Sequence, residues 1–261
     1  MIIFAIALNT FREAVRDKIL YVLLICSLLL IMVSRMIGWV SFGGQFKIMT
    51  DIGLTAIWMF SGMISIFIGT GLIYKEIDKR TIYTILSKPI ERWQFLAGKY
   101  LGLLLTTLIN QTLLSVVFLA YLWACGAPVT MALFEALFLT FIEMMVITAI
   151  AIFFSSASTP IFSAIFTTII FFAGQMTKWV ADMGELLKCT APWLEKILYS
   201  IYLVLPNLHN FNIRREAVLA TQEHLHVAIP AGELWACAVY GVAYTVAALL
   251  AAHLVFSRRN F

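Results

Sequence analysis

The sequence predicts an all-α polytopic membrane protein with six transmembrane helices. Apolar residues make up 62% of its 261 residues and charged residues 12%, whereas a soluble domain carries about 25% charged residues. The apolar residues form long runs, and a run of about 20 residues is enough to cross the hydrocarbon core as a helix. We therefore expect most of the surface to face lipid rather than water.

Six apolar segments are long enough to be membrane spans. Gly126, Ala127 and Pro128 separate the third from the fourth, and residues 155–160 (SSASTP) separate the fourth from the fifth. Pro160 is well placed to begin a helix, because the first helical residue needs no N–H donor. We predict one transmembrane domain over residues 1–261, with spans at about 19–40, 52–74, 95–125, 131–154, 161–180 and 233–256.

Basic residues orient these spans, because short cytoplasmic loops carry an excess of Lys and Arg. With both termini in the cytoplasm, the inner segments hold eleven Lys and Arg residues against five acidic residues, and the outer segments hold seven of each. Six of the eleven lie between spans two and three, in residues 74–99. We therefore predict that this segment and both termini are cytoplasmic.

The N-terminal segment has an apolar stripe at helical spacing and polar residues on its other faces. It predicts an amphipathic helix in the cytoplasmic interface; the alternative is a simple extension of span one. The stripe consists of Phe4, Leu8, Phe11, Val15 and Ile19.

The long loop between spans five and six carries a second apolar stripe, which ends at Pro206. Loops of this length usually have structure of their own. We predict one or two short helices that dip into the outer leaflet. The stripe consists of Trp193, Leu194, Ile197, Leu198, Ile201, Tyr202 and Leu205.

The basic segment 74–99 also has an apolar side, formed by Ile82, Ile85 and Leu86. Pro89 lacks an N–H donor and disfavours helix at the residue before it, so the segment has a defined stop. A short amphipathic helix outside the membrane would suit a cytoplasmic protein partner. The alternative is a solvated loop that serves only to orient the spans.

Nothing in the sequence points to catalysis, a metal site or nucleic-acid binding. Gly98 and Lys99 are followed by Tyr100 without the upstream glycine of a phosphate-binding loop, so we predict no ATP site. The four histidines lie apart, and the four cysteines lack metal-ligand spacing. No basic stripe on a soluble domain suggests nucleic acid.

Two polar residues near the middle of spans are candidates for a translocation path. They are Asn110 in span three and Glu143 in span four. A carboxylate at mid-bilayer costs about 2.5–3.5 kcal/mol on insertion scales, so Glu143 should face other helices or a cavity. The alternative role is an interhelical hydrogen bond that fixes packing.

Four motifs in this order resemble the ABC-2-type permeases of ABC transporters, and in particular permeases of the nitrous-oxide-reductase maturation type. Three are NTFREAVRDKIL at the N-terminus, FFSSASTPIFSAIF across spans four and five, and LPNLHNF in the outer loop. The fourth motif, after span two, consists of Glu76, Thr81, Leu86, Ser87, Pro89, Arg92, Gly98 and Lys99. This fourth motif departs from the family pattern at Arg80, where the family often has Gly.

The resemblance implies that residues 76–86 form a coupling helix that seats in a separate ATPase subunit, which would bind ATP and Mg²⁺. The implied coupling residues are Glu76, Arg80, Thr81, Ile82, Ile85, Leu86 and Pro89.

It also implies an exporter in the bacterial inner membrane that works as a homodimer or paired with a related permease. Two alternatives stay open: a membrane anchor that only recruits the ATPase, and an ion-coupled carrier built on Glu143. The cargo, whether lipid, glycan, drug-like amphiphile, ion or sulfur species, is not specified by these residues.

Overall fold

The computed structural model describes residues 2–40, 44–78, 91–187, 205–223 and 231–258, with residues 193, 196, 199, 200 and 202. Across these ranges the chain is α-helical and contains no strand, which confirms the predicted fold class. The helices in order are α1 (Ile2–Val15), α2 (Lys18–Val40), α3 (Gln45–Asp78), α4 (Arg92–Ala124), α5 (Met131–Ala157), α6 (Pro160–Gln175), α7 (Thr177–Leu187), α8 (Arg214–Glu223) and α9 (Ala231–Arg258). A 3₁₀ turn covers Leu208–Phe211.

Five of the described helices, namely α2, α3, α4, α5 and α9, are long and apolar enough to cross a membrane. The pair α6 and α7 adds a sixth candidate span if it is counted as one, but it is bent by 58°. The sequence predicted one uninterrupted span over 161–180, whereas α6 ends at Gln175.

The bend between α6 and α7 lies where the chain before α8 packs against it. Thr177 Oγ1 is 2.6 Å from Asn207 Oδ1 and 3.0 Å from the Gly174 carbonyl. A Cβ on Gly174 would lie 2.7 Å from the Leu208 side chain and 2.9 Å from the Pro206 carbonyl. The close approach of residues 206–208 therefore needs a glycine here, one residue before α6 ends.

Helices α3 and α5 form the centre of the bundle. In each of them 72% of the most apolar stretch is buried, compared with 22% in α2 and in α9. Helix α2 packs along α3, and α9 packs along α5. The outer helices α2 and α9 thus keep broad apolar surfaces that lipid or another membrane protein can cover.

Helix α1 packs across α4 on two glycines one turn apart. A Cβ on Gly98 would lie 2.8 Å from Ile6 Cβ, and one on Gly102 would lie 2.5 Å from the Ala7 carbonyl. The buried ammonium of Lys99, between the two glycines, lies 3.9 Å from the carboxylate of Glu13. This Gly98–Gly102 platform holds the N-terminal helix against the start of α4.

The face of α1 that packs on the protein is not the apolar stripe seen in the sequence. Ala7, Thr10 and Ala14 are the buried residues of α1, whereas Phe4 is 74% exposed. Phe4 is left on a different face, as expected for a helix that also borders lipid, whereas Ile6 packs on Gly98.

Candidate functional site

A polar cluster inside the bundle centres on Glu143, in the middle of α5. Its side chain is 1% exposed. Glu143 Oε1 accepts a hydrogen bond from Trp58 Nε1 of α3 at 2.8 Å and another from Gln175 Nε2 at the end of α6 at 2.7 Å. One carboxyl oxygen therefore ties three helices together.

The cluster extends toward α8 through a chain of side-chain hydrogen bonds. Gln175 Oε1 accepts from Asn212 Nδ2 at 3.1 Å, and Asn212 Oδ1 accepts from Arg214 Nε at 2.8 Å. Gln175 uses its donor on Glu143 and its acceptor on Asn212, so the direction of the whole chain is fixed. The first residue of α8 is thus connected to the core of α5.

Aromatic rings hold Trp58 in its position. The Trp58 ring stacks on Phe171 of α6, with centroids 4.6 Å apart and planes 22° from parallel. A Cβ on Gly62 would lie 2.6 Å from the Phe171 ring, so the glycine lets this ring approach α3. Trp58 also contacts Arg214: the guanidinium carbon of Arg214 lies 4.3 Å from the centroid of the Trp58 ring, within the range of a cation–π interaction.

A cleft of about 520 Å³ opens next to Trp58 and Arg214. It lies between the first turns of α3 and helix α8. Burial lowers the pKa of Arg214 below its ordinary value, and the negative charges of Glu143 and Asp51 oppose that shift. The lining consists of Lys47, Asp51, Thr55, Trp58, Asn212, Arg214, Arg215, Val218 and Leu219. We call this the α3–α8 cleft.

The second residue predicted for a translocation path, Asn110, lies elsewhere in the core. It is 4% exposed on α4, and neither its amide oxygen nor its amide nitrogen has a hydrogen-bond partner in the described ranges. Gln111 beside it donates to the Leu137 carbonyl of α5 at 2.9 Å. No hydrogen bond among the described residues joins Asn110 to Glu143.

The predicted coupling residues lie mostly outside the described residues. Glu76 is in the last turn of α3, whereas Arg80, Thr81, Ile82, Ile85, Leu86 and Pro89 are not described. The structure describes the chain again at Glu91, which precedes α4. The predicted outer-leaflet helix 193–205 is likewise described only at residues 193, 196, 199, 200, 202 and 205.

Sequence reasoning found Glu143 but missed its partners. Trp58, Gln175 and Arg214 are 85, 32 and 71 positions away in the chain, and nothing in a single sequence gives the register between helices. One available signal was Trp58 itself, since a buried indole N–H usually needs an acceptor. Among the described residues, no group of three His, Cys, Asp or Glu side chains could hold a metal ion.

Comparison with protein-family models gives a match over residues 4–261, to a model described as ABC-2 family transporter protein. Comparison with curated proteins gives no match. Permeases of this family are the membrane subunits of ABC transporters and work with a cytoplasmic ATPase subunit. The matched region includes all the helices from α2 to α9 and the Glu143 cluster. With five to six candidate spans and a match over nearly its whole length, the chain belongs to the ABC-2 transporter family.

Proposed function

We propose that this chain is the permease subunit of an exporter that is driven by a separate ATPase subunit through residues 76–86. The permease itself would bind neither ATP nor Mg²⁺. It would lie in the bacterial inner membrane with both termini in the cytoplasm, as the eleven Lys and Arg residues of the inner segments favour. The narrower likeness to permeases of the nitrous-oxide-reductase maturation type stays a prediction, because the family description names no cargo.

The observation that carries this proposal is the continuity of α3. This helix runs without a break for 34 residues. It contributes Lys47 and Asp51 to the α3–α8 cleft and Trp58 to the Glu143 cluster, and it ends at Asp78, within the proposed coupling segment 76–86. A helix that contacts both places can transmit a rigid-body movement of the ATPase to the polar cluster.

We further propose that two permease chains pair, either as a homodimer or with a related permease. Side chains of α3 and α5 fill the bundle centre, and six helices in one chain are few to enclose a wide path. The exposed apolar faces of α2 and α9 leave room for a partner as well as for lipid. Pairing about a two-fold axis would place the transport path between subunits.

The test introduces a charge on the apolar side of the coupling segment. Ile85→Asp should weaken binding of the ATPase at least about hundredfold, since an unpaired charge in a desolvated contact costs several kcal/mol. The matched control is Lys79→Gln in the same segment, because an exposed ion pair contributes only about 0–1 kcal/mol. Co-purification of the ATPase and its ATP hydrolysis are measured for both variants.

Normal ATPase binding and turnover by Ile85→Asp would show that the segment only orients the spans. The same experiment separates the alternatives. An anchor that merely recruits the ATPase would lose binding in Ile85→Asp but would show no ATP-dependent transport in the wild type. An ion-coupled carrier would transport without any ATPase; against it, the buried charged side chains in the described ranges are Glu143 and Lys99, and Lys99 lies beside Glu13.

A further inference from the structure

The α3–α8 cleft has an excess of positive charge. Its lining holds three basic residues, Lys47, Arg214 and Arg215, against the single carboxylate of Asp51. Within the described ranges, none of the three comes within 4.0 Å of a carboxylate oxygen. A concave site with an excess of charge of one sign attracts the opposite ion.

Arg214 is held so that its outer nitrogens remain available. Its Nε donates to Asn212 Oδ1, and its guanidinium plane rests near the Trp58 ring. Its two terminal nitrogens make no hydrogen bond to the part of the chain that the structure describes. A guanidinium presents paired N–H donors whose spacing matches the oxygens of a phosphate or carboxylate. The site is therefore arranged before any anion arrives, which lowers the entropic cost of binding.

We propose that the α3–α8 cleft binds a phosphate-type oxyanion, with Arg214 as the main contact and Lys47 and Arg215 as supporting charges. The three basic residues outnumber Asp51 in the lining and Glu143 behind Arg214, so the cleft keeps the positive charge that a phosphate-type oxyanion needs. The inference goes beyond the proposed export and does not depend on it, because binding in the cleft needs no ATPase.

One wall of the cleft is apolar, which bears on the source of the phosphate. Val218 and Leu219 of α8 line it beside the basic residues, and Leu219 is 37% exposed. A phosphate carried by an acyl chain would cover this wall, whereas free phosphate would leave it in water. Burial of apolar surface stabilises binding by about 25 cal/mol per Å². The two sources should therefore differ in affinity.

The experiment measures binding to the purified permease in a neutral detergent by isothermal titration calorimetry. The ligands are inorganic phosphate, dioctanoyl phosphatidate and, as an apolar control, dioctanoylglycerol. Arg214→Gln should weaken phosphate or phosphatidate binding about tenfold or more, as expected for the loss of a charge-assisted bidentate contact. The matched control is Lys178→Gln, which removes an exposed basic residue of α7 outside the lining.

Lys47 and Arg215 are exposed, so the double variant Lys47→Gln/Arg215→Gln tests the cleft even if Arg214→Gln fails to fold. Binding of phosphate alone with this dependence identifies a soluble phosphate, and binding of phosphatidate alone identifies a lipid headgroup. Equal affinity in wild type, Arg214→Gln and the double variant overturns the proposal, as does equal binding of dioctanoylglycerol. A variant that loses phosphate binding but keeps ATPase coupling contradicts neither proposal and shows that the cleft acts separately from the coupling segment. A variant that keeps phosphate binding but loses ATPase coupling shows the same separation.

Discussion

The hydrogen bond between Trp58 and Glu143 should make a measurable contribution to folding stability. Trp58 Nε1 and Glu143 Oε1 are 2.8 Å apart on separate helices, and both side chains are buried. Interhelical hydrogen bonds in membrane proteins average about 0.6 kcal/mol and reach about 1.7 kcal/mol. Since the same oxygen also binds Gln175 and water is excluded, we expect a value of about 1–1.7 kcal/mol.

A double-mutant cycle isolates this value from the effect of ring size. Trp58→Phe removes the donor but also leaves space beside Phe171, so its total cost should exceed the hydrogen bond alone. Glu143→Met removes the acceptor with little change in length. The cost of Trp58→Phe should be smaller in the Glu143→Met background by the coupling energy of about 1–1.7 kcal/mol.

The assay is equilibrium unfolding of the four proteins in mixed micelles, with loss of helical circular dichroism as the signal. Trp123→Phe serves as the control, because Trp123 is 78% exposed and its replacement should change stability by no more than about 0.5 kcal/mol. Equal costs of Trp58→Phe in both backgrounds would refute the reasoning, because the indole and the carboxyl would then not interact.

Two further predictions concern α1 and the topology. Gly102→Leu should lower the free energy of unfolding by about 1–3 kcal/mol, because the added side chain would be overpacked against α1. The control is Gly71→Leu, which should not lower it, because a Cβ on Gly71 would meet nothing within 4 Å. Equal effects of the two substitutions would show that α1 does not rest on α4. An impermeant thiol reagent applied to intact cells should label Glu223→Cys and spare Glu91→Cys, because residue 91 lies within the basic segment 74–99. Labelling at residue 91 would show that the spans have the opposite orientation to the predicted one.

The spans were predictable because their signal is local, whereas the bend in span five was not. A window of apolar residues specifies a membrane helix without reference to the rest of the chain. Residues 206–208 pack on Gly174 beside the break, and they come from more than thirty positions away in the chain. The Glu143 cluster has the same limitation: the carboxyl stood out in the sequence, but its donors come from helices whose register is set by tertiary packing.

The packed face of α1 is a detail that the apolar stripe in the sequence did not specify. In water, the side with Phe4 and Leu8 would be the side that packs. Next to lipid, large apolar side chains gain little from moving against another helix, and small residues permit close contact. Ala7 and Thr10 therefore pack on Gly102, and Ile6 packs on Gly98. The spacing of the two glycines was the more informative signal.

The length of α3 has a mechanical consequence. At 1.5 Å per residue its 34 residues span about 50 Å, which exceeds a hydrocarbon core of about 30 Å. If Trp58 acts as a pivot, the arm to Asp78 is about 30 Å and the arm to Lys47 about 16 Å. A tilt of about 10° would then displace Asp78 by about 5 Å and Lys47 by about 3 Å. The position of Trp58 along α3 thus sets the ratio of the two lever arms, so a smaller movement at the cleft accompanies a larger one at the Asp78 end.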